Sequence, residues 1–391
     1  MNAREQFLRI MSGDTSIPTL KWEFGYWVGT IRRWATEGLE IKRNVITDEN
    51  DYDETCTGGG IPSPELSHPV DYDVEDIMGL DKGLVRTPVE HWYYPHFKTE
   101  VLEETDRSMI VIDDEGITKE IFKGGGSMPK FMRFPMATRE DFERIKNERL
   151  NPDTPGRFPD NWKEIAKELN ERDYPLALGG KPFGFFGSLR ELMGFEGCMV
   201  MFYDDPELVE EILDHLCGFW LKLYEKVLAD ITVDYVLFWE DMSYKNGPMI
   251  SPKLFQKLMV PRYQRMTEFF RSKGVDVMFV DTDGDCYSLI EPLIEGGITG
   301  ILPFEGAAGM DVEVVRQRHP ELAMMGGIDK SLIFGDDKEA LDKVLREKVP
   351  SVLKSGRYIP FTDHLVPPEV SWEQFVRYRN ILNEVIEKSV W

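Results

Sequence analysis

The sequence predicts an α/β protein: one parallel (β/α)8 barrel of the TIM type, with a small antiparallel β insertion in its N-terminal third. Two observations lead there. From residue 139 onward helices alternate with short strands that are apolar almost throughout, the pattern of a parallel sheet covered on both faces. Each strand runs into a polar or glycine-bearing cluster, and a barrel gathers such ends on one face, where catalytic loops lie. No GxGxxG follows the first strand, which counts against an open, doubly wound sheet.

The chain opens with a helix whose Phe7, Leu8 and Met11 share one face, stopped at Gly13. Residues 17–25 read as the first strand, and 28–37 as a helix ended by Gly38. Residues 41–90 are acidic, weakly periodic and rich in proline and glycine. They read as a long excursion with a short helix near 74–78, serving as a lid or a surface wrap. From 91 to 121 the pattern turns to alternation, giving antiparallel strands with a turn at Asp114, Glu115 and Gly116. Residues 124–131 begin with three glycines and read as a flexible connector. They lack the helix and the Lys-Ser/Thr pair of a phosphate-binding loop. One domain over 1–391 is expected, carrying 41–130 as the insertion.

Helices at 139–148 and 161–172 precede a strand at 174–179. Helices over 187–230 lead to strand 233–239, then Glu240 and Asp241. Helix 252–273 leads to strand 275–280, then Asp281, Asp283 and Gly284. Helix 286–295 leads to strand 300–304, and helix 311–318 to strand 322–325 with Gly326, Gly327 and Asp329 behind it. Helix 337–353 leads to strand 356–361, then Asp363 and His364, and helix 371–388 follows.

The chain carries 46 basic against 70 acidic side chains, a net charge of −24. That balance repels phosphate backbones and anionic headgroups, so neither nucleic acid nor membrane is an expected partner. Cys56, Cys198, Cys217 and Cys286 form no CxxC pair. With no secretory signal and no apolar run of membrane-spanning length, a reducing cytoplasm is expected.

Polar residues at strand ends are the candidates for chemistry. Glu240 and Asp241 are adjacent, so in extended backbone only one can face the barrel mouth. Asp281 and Asp283 are two apart and share a side; held close, they either share a proton or bind a cation. Asp363 and His364 come from the last strand end, next to the first in a closed barrel. Oxygen ligands with one imidazole suit Zn²⁺, Mn²⁺ or Mg²⁺. Blander roles compete: Asp283 or Asp285 capping the next helix, and His364 holding a loop carbonyl. The aromatic cluster of Trp22, Phe24, Tyr26, Trp27 and Trp34 can pack the core or wall a flat substrate. Arg32 and Arg33 can clamp a carboxylate or pair with nearby acids. His68, His91, His96, His215 and His319 have no paired spacing and receive no site.

With these strand ends in hand, the chain resembles the uroporphyrinogen decarboxylase superfamily over nearly its whole length. The most specific pieces are Trp239, Glu240 and Asp241 through Ser251 and Pro252; Pro261, Arg262 and Tyr263; Gly326, Gly327, Ile328 and Asp329; and Asp363 and His364 with two prolines after them. Gly25, Tyr26 and Trp27, with Arg33, Trp34, Glu37 and Gly38, are similar to a divergent bacterial branch. The resemblance implies a (β/α)8 barrel and one of two chemistries. The heme-pathway decarboxylases have an arginine-rich N-terminal segment, where this chain has Glu23, Phe24, Gly25, Tyr26, Trp27 and Val28. The cobamide-dependent methyltransferases use zinc, with His-x-Cys where this chain has Asp281 and Asp283, and a later Cys near Asp363 and His364. Both thiolates are replaced here, and an oxygen-rich site suits an ether or hydroxyl oxygen.

The expectation is therefore a methyltransferase that demethylates a small methoxylated, aromatic compound and passes the methyl group to a corrinoid protein. A divalent metal, zinc foremost, is expected to act as Lewis acid. Glu240 and Asp241 are expected to be catalytic, and Asp281, Asp283 and His364 to bind the metal. Trp22, Tyr26, Trp27, Arg33, Phe183 and Asp363 are expected to contact substrate. A homodimer is compatible with the chain. The alternatives are a decarboxylase or lyase acting on another carboxylate, and a catalytically silent binding protein on the same barrel.

Overall fold

The structure is a computed structural model that describes residues 1–42, 72–122 and 129–391. Strand β1 is Val85–Arg86. Strands β2 (Glu100–Glu104), β3 (Ser108–Ile112), β4 (Thr118–Phe122) and β5 (Lys130–Arg133) form a separate antiparallel sheet in that order. Next come β6 (Leu176–Gly179) and β7 (Tyr235–Trp239), followed by a hairpin of β8 (Ser243–Tyr244) and β9 (Gly247–Pro248). The last four are β10 (Met278–Asp281), β11 (Gly300–Leu302), β12 (Ala323–Met325) and β13 (Tyr358–Ile359). Among the described residues, β1, β6, β7, β10, β11, β12 and β13 make one parallel sheet in that order, joined mainly by helices.

Side chains alternate between two apolar clusters, as the pleat requires. On β7, Tyr235 and Leu237 join an inner cluster, whereas Val236 and Phe238 pack outward with the helices. On β10, Phe279 goes inward and Met278 and Val280 outward. Extended by the same period, the rule sends Trp239 and Asp281 inward and Glu240 outward.

The helix Ala3–Met11 forms at a capping box made by Asn2 and Glu5. Its Phe7, Ile10 and Met11 fill the inner cluster, with the Phe7 ring 5.6 Å from Trp22 and 5.1 Å from Tyr235. It lies where strands begin: Arg4 donates to the Asp173 carbonyl and pairs with Asp234 at 2.7 Å. The opposite, carboxyl-terminal ends are left for chemistry.

Four sequence readings need correction. Residues 17–25 are not a ladder strand; Tyr26 makes one parallel bridge with Val366. Side chains fasten the segment instead: Thr19 Oγ1 donates to the Tyr358 carbonyl, and Asp81 accepts from the Lys21 amide. Strand β1 lies within the stretch read as an irregular excursion. Residues 130–133, partly read as connector, are strand β5, whereas 123–128 lie outside the described residues, as do 43–71 with Cys56 and His68. The helix read over 252–273 breaks into Pro252–Leu258 and Val260–Ser272 around Pro261, which has no N–H to continue the ladder. The antiparallel sheet, the helix Tyr72–Met78 and the helices from 139 onward follow the reading closely. Among the described residues, no helix is long and apolar enough to cross a membrane.

Candidate functional site

Of the adjacent pair after β7, Glu240 turns outward as the pleat requires. It is fully buried and accepts from the Phe185 and Gly187 amides at 2.7 and 2.9 Å and from the Tyr263 hydroxyl. A carboxylate there caps the N-terminus of helix Phe185–Asp204 and meets its dipole. Burial pushes its carboxyl up to about 7 against those hydrogen bonds. Glu240 therefore sets the helix rather than facing the mouth.

Asp241 faces the mouth. Its backbone adopts φ +45°, a conformation that L residues pay strain to hold and that clusters at functional sites. Arg190 donates to its carbonyl and holds its guanidinium 3.8 Å from the carboxylate. The Asp241 carboxylate accepts from the Asp283 amide, and it is pushed up to about 6 by burial and then by the Asp283 charge.

Asp281 ends β10 on the inner side. Burial, then Asp283 and Asp241, lift its carboxyl well above the usual range, with Arg86 and His364 opposing. Asp283 pairs with His364, Nε2 to Oδ2 at 3.4 Å, with both side chains about 30% exposed. Burial would lower the imidazole, but the hydrogen bond and charge of Asp283 outweigh it, so His364 is raised. Asp285 accepts from the Tyr287 amide two residues on, a local turn that leads into the next helix. Gly284 fixes this turn against the β8–β9 hairpin. At φ +77° an added Cβ would sit 2.6 Å from the Ser243 carbonyl, so only glycine fits.

Three strand ends thus bring Asp241, Asp281, Asp283 and His364 together. Two rings lie beside the imidazole: Phe24 at 5.6 Å and Trp27 at 6.5 Å between centroids. The other expected substrate contacts are placed elsewhere. Trp22 is buried in the inner cluster against Phe7, and Tyr26 packs on Trp34 and Phe375. Phe183 is buried between Phe238, Trp220 and Tyr224. Arg33 pairs with Glu37 at 2.7 Å and donates to the Pro368 carbonyl. Asp363 is wholly buried and accepts from the Gly306 and Lys330 amides at 2.8 and 3.0 Å, strapping two mouth loops together. Burial raises it, with the Lys330 charge opposing.

Sequence reasoning passed over Arg190 and Lys330, and it named Trp239 only as part of a motif, with no role. Arg190 lies in the second turn of the helix Phe185–Asp204 with no motif around it, so nothing in the sequence marks it. Lys330 stands just after Gly326, Gly327 and Asp329, and its place at a strand end was a usable signal. The donor set suits a hard divalent cation in kind. In arrangement it does not: among the described residues, no three His, Cys, Asp or Glu side chains are grouped to hold a metal ion.

A family profile described as uroporphyrinogen decarboxylase matches residues 108–384. No curated protein matches the chain. Among solved structures, a methyltransferase from Methanosarcina mazei is similar at 13% identity and TM-score 0.57, covering 99% of each chain. A 3-keto-L-gulonate-6-phosphate decarboxylase from Vibrio cholerae is similar at 10% identity and TM-score 0.26, over 59% of this chain and 81% of its own. The first likeness speaks for the fold; the second is too slight to carry an argument.

Proposed function

The chain belongs to the uroporphyrinogen decarboxylase family, and from that premise we propose a methyltransferase that removes the methyl group of a small methoxylated aromatic compound and passes it to a corrinoid protein. The reading rests above all on the mouth cluster of Asp241, Asp281, Asp283 and His364. The full-length likeness to a methyltransferase supports it. In this reading the segment 17–26 completes a closed barrel between β13 and β1.

The reaction breaks the bond between methyl carbon and ether oxygen. The bonding pair stays on oxygen, which needs a proton to leave. A reduced corrinoid on the partner supplies the nucleophile that takes the methyl group. This chain's residues supply the proton and the orientation. Like carboxylates held close cannot all ionise cheaply, and burial with the neighbouring charges raises both Asp241 and Asp281, so a proton is retained between those two. Asp281, innermost and most strongly raised, donates it to the departing oxygen. The His364–Asp283 pair fixes the rim, and Phe24 and Trp27 lie against the aromatic ring of the substrate.

A divalent cation, zinc foremost, belongs to the proposal only if Asp281, Asp283 and His364 can swing together around it. As they stand they do not, so no step is routed through a metal. Metal analysis of protein purified without chelator decides the point. The function is tested by incubating the protein with reduced corrinoid protein and a panel of methoxylated aromatics while following the corrinoid absorbance. A change with at least one substrate is expected; none across the panel overturns the proposal. Decarboxylation is the second reading, favoured by the family match; release of CO₂ without methyl transfer would establish it instead.

A further inference from the structure

We propose that the small antiparallel sheet joins copies of this chain head to tail, strand β5 of one copy pairing antiparallel with strand β2 of the next. The inference stands apart from the methyl-transfer reading. Among the described residues, the order β2-β3-β4-β5 leaves each outer strand a neighbour on one side only. Each therefore offers a row of unpaired backbone donors and acceptors, a template for another strand. Every residue of Glu100–Glu104 and of Lys130–Arg133 is exposed. The two edges differ in charge: β2 carries Glu100 and Glu103, and β5 carries Lys130 and Arg133. Pairing β2 with another β2 would set glutamate against glutamate, and β5 with β5 lysine against arginine. Like charges placed opposite each other destabilise a ladder. The unlike edges fit.

The fit extends to register. Within the sheet Glu103 lies opposite Ile110, Ile110 opposite Glu120, and Glu120 opposite Lys130. The next row on the same face runs through Glu100, Ile112, Thr118 and Arg133. Continuing both rows into a second copy places its Glu103 beside Lys130 and its Glu100 beside Arg133, in one antiparallel register. Between those charged pairs the same register sets Leu102 against Phe131 and Val101 against Met132. These apolar side chains are between 46% and 55% exposed in the single chain, and pairing takes them from water together. Each edge strand also carries one bulged residue, Leu102 on β2 and Met132 on β5, so both irregularities fall inside the matched stretch. Charged edges alone are how sheets avoid association. That purpose explains neither opposite signs on the two edges nor an apolar centre between the charges. The contact is heterologous: each copy offers its two edges to different neighbours, and the contact repeats until a ring closes or a chain grows.

The test is sedimentation velocity of the full chain at rising concentration, in about 50 mM and about 0.5 M salt. It compares wild type, Arg133→Glu, Glu100→Arg and the double variant. Both positions lie opposite uncharged residues within the sheet, Thr118 and Ile112, so neither change sets like charges against each other inside one copy. Wild type is expected to gain mass with concentration, and less so at high salt. Each single variant should weaken association about tenfold, because a pair of opposite charges becomes a pair of like ones. The double variant restores opposite charges and should associate as the wild type does, and so should an equimolar mixture of the two single variants. Mixing two misfolded chains would not mend them, so recovery separates pairing from damage to the fold. A wild type that stays monomeric at every concentration would overturn the proposal and leave the edges to a strand of another protein. Association that the single variants leave unchanged, or that the double variant and the mixture fail to recover, would overturn it as well.

Discussion

Glu23 stands where the N-terminal segment meets the last strand, and replacing it by Gln is expected to loosen the whole fold. Its carboxylate accepts from the Thr362 amide at 3.0 Å and hydroxyl at 2.5 Å, and from the Phe24 amide at 3.1 Å. Its other oxygen lies 3.3 Å from the Arg379 guanidinium. Glu23 is 6% exposed and Arg379 is wholly buried. The amide keeps the shape and part of the hydrogen bonding, but it leaves the guanidinium without its counter-charge. Breaking one partner of such a buried pair costs about 3–5 kcal/mol. A surface pair would cost about 0–1 kcal/mol. The assay is urea unfolding of wild type, Glu23→Gln, Arg379→Met and the double variant. If the cost is that of a stranded charge, the double variant is more stable than the sum of the singles predicts by about 1–3 kcal/mol. A Glu23→Gln cost below about 1 kcal/mol, with additive singles, would refute the claim that this pair fastens the segment to the sheet.

Other expectations follow from the mouth. Gly284→Ala forces a Cβ onto the Ser243 carbonyl at a left-handed position and should cost about 1–3 kcal/mol in urea unfolding; a neutral effect would mean that the turn relaxes freely. Asp363→Ala strands the Gly306 and Lys330 amides and should cost about 2–3 kcal/mol, with hydrogen exchange faster at both; unchanged exchange would contradict the strap. His364 is raised from the ordinary 6.5 by Asp283 against burial. Its charged pair therefore stabilises the fold fully below that ordinary value and fades as pH rises through the raised one. His364→Gln should accordingly destabilise more at pH 5 than at pH 9, and Asp283→Asn should move the His364 imidazole titration in NMR to lower pH; an unmoved titration would dissolve the pair.

The strands of the parallel sheet were legible because burial on both faces leaves apolar runs that stand out against polar loops. The first strand read less well. Residues 17–25 have the apolar content of a strand, yet side chains such as Thr19 and Asp81 take the place of the ladder, and composition cannot tell the two apart. β1 escaped notice because two residues, Val85 and Arg86, are too few for a period. At the strand ends, position in the sequence singled out Asp241, Asp281, Asp283 and His364, which the structure brings together, and period 2 explains why Glu240 turns away from them. Residue type alone could not place Trp22, Tyr26 and Phe183, which the structure packs among core rings. A buried aromatic and a substrate-facing one have the same letter, and only the neighbouring chain decides between them. Arg190 was invisible because its importance comes from the Asp241 carbonyl, 51 residues away in sequence.

The central claim is that this mouth moves a whole methyl group with a proton supplied by Asp281. Its most direct test uses methoxylated aromatic compounds labelled as OCD₃, with reduced corrinoid protein and either wild type or Asp281→Ala. Wild type should deliver the label to the corrinoid with all three deuterons and release the free phenol, and Asp281→Ala should deliver none. Equal delivery by the variant would remove Asp281 from the reaction. No delivery by wild type, for any such compound, would contradict the account.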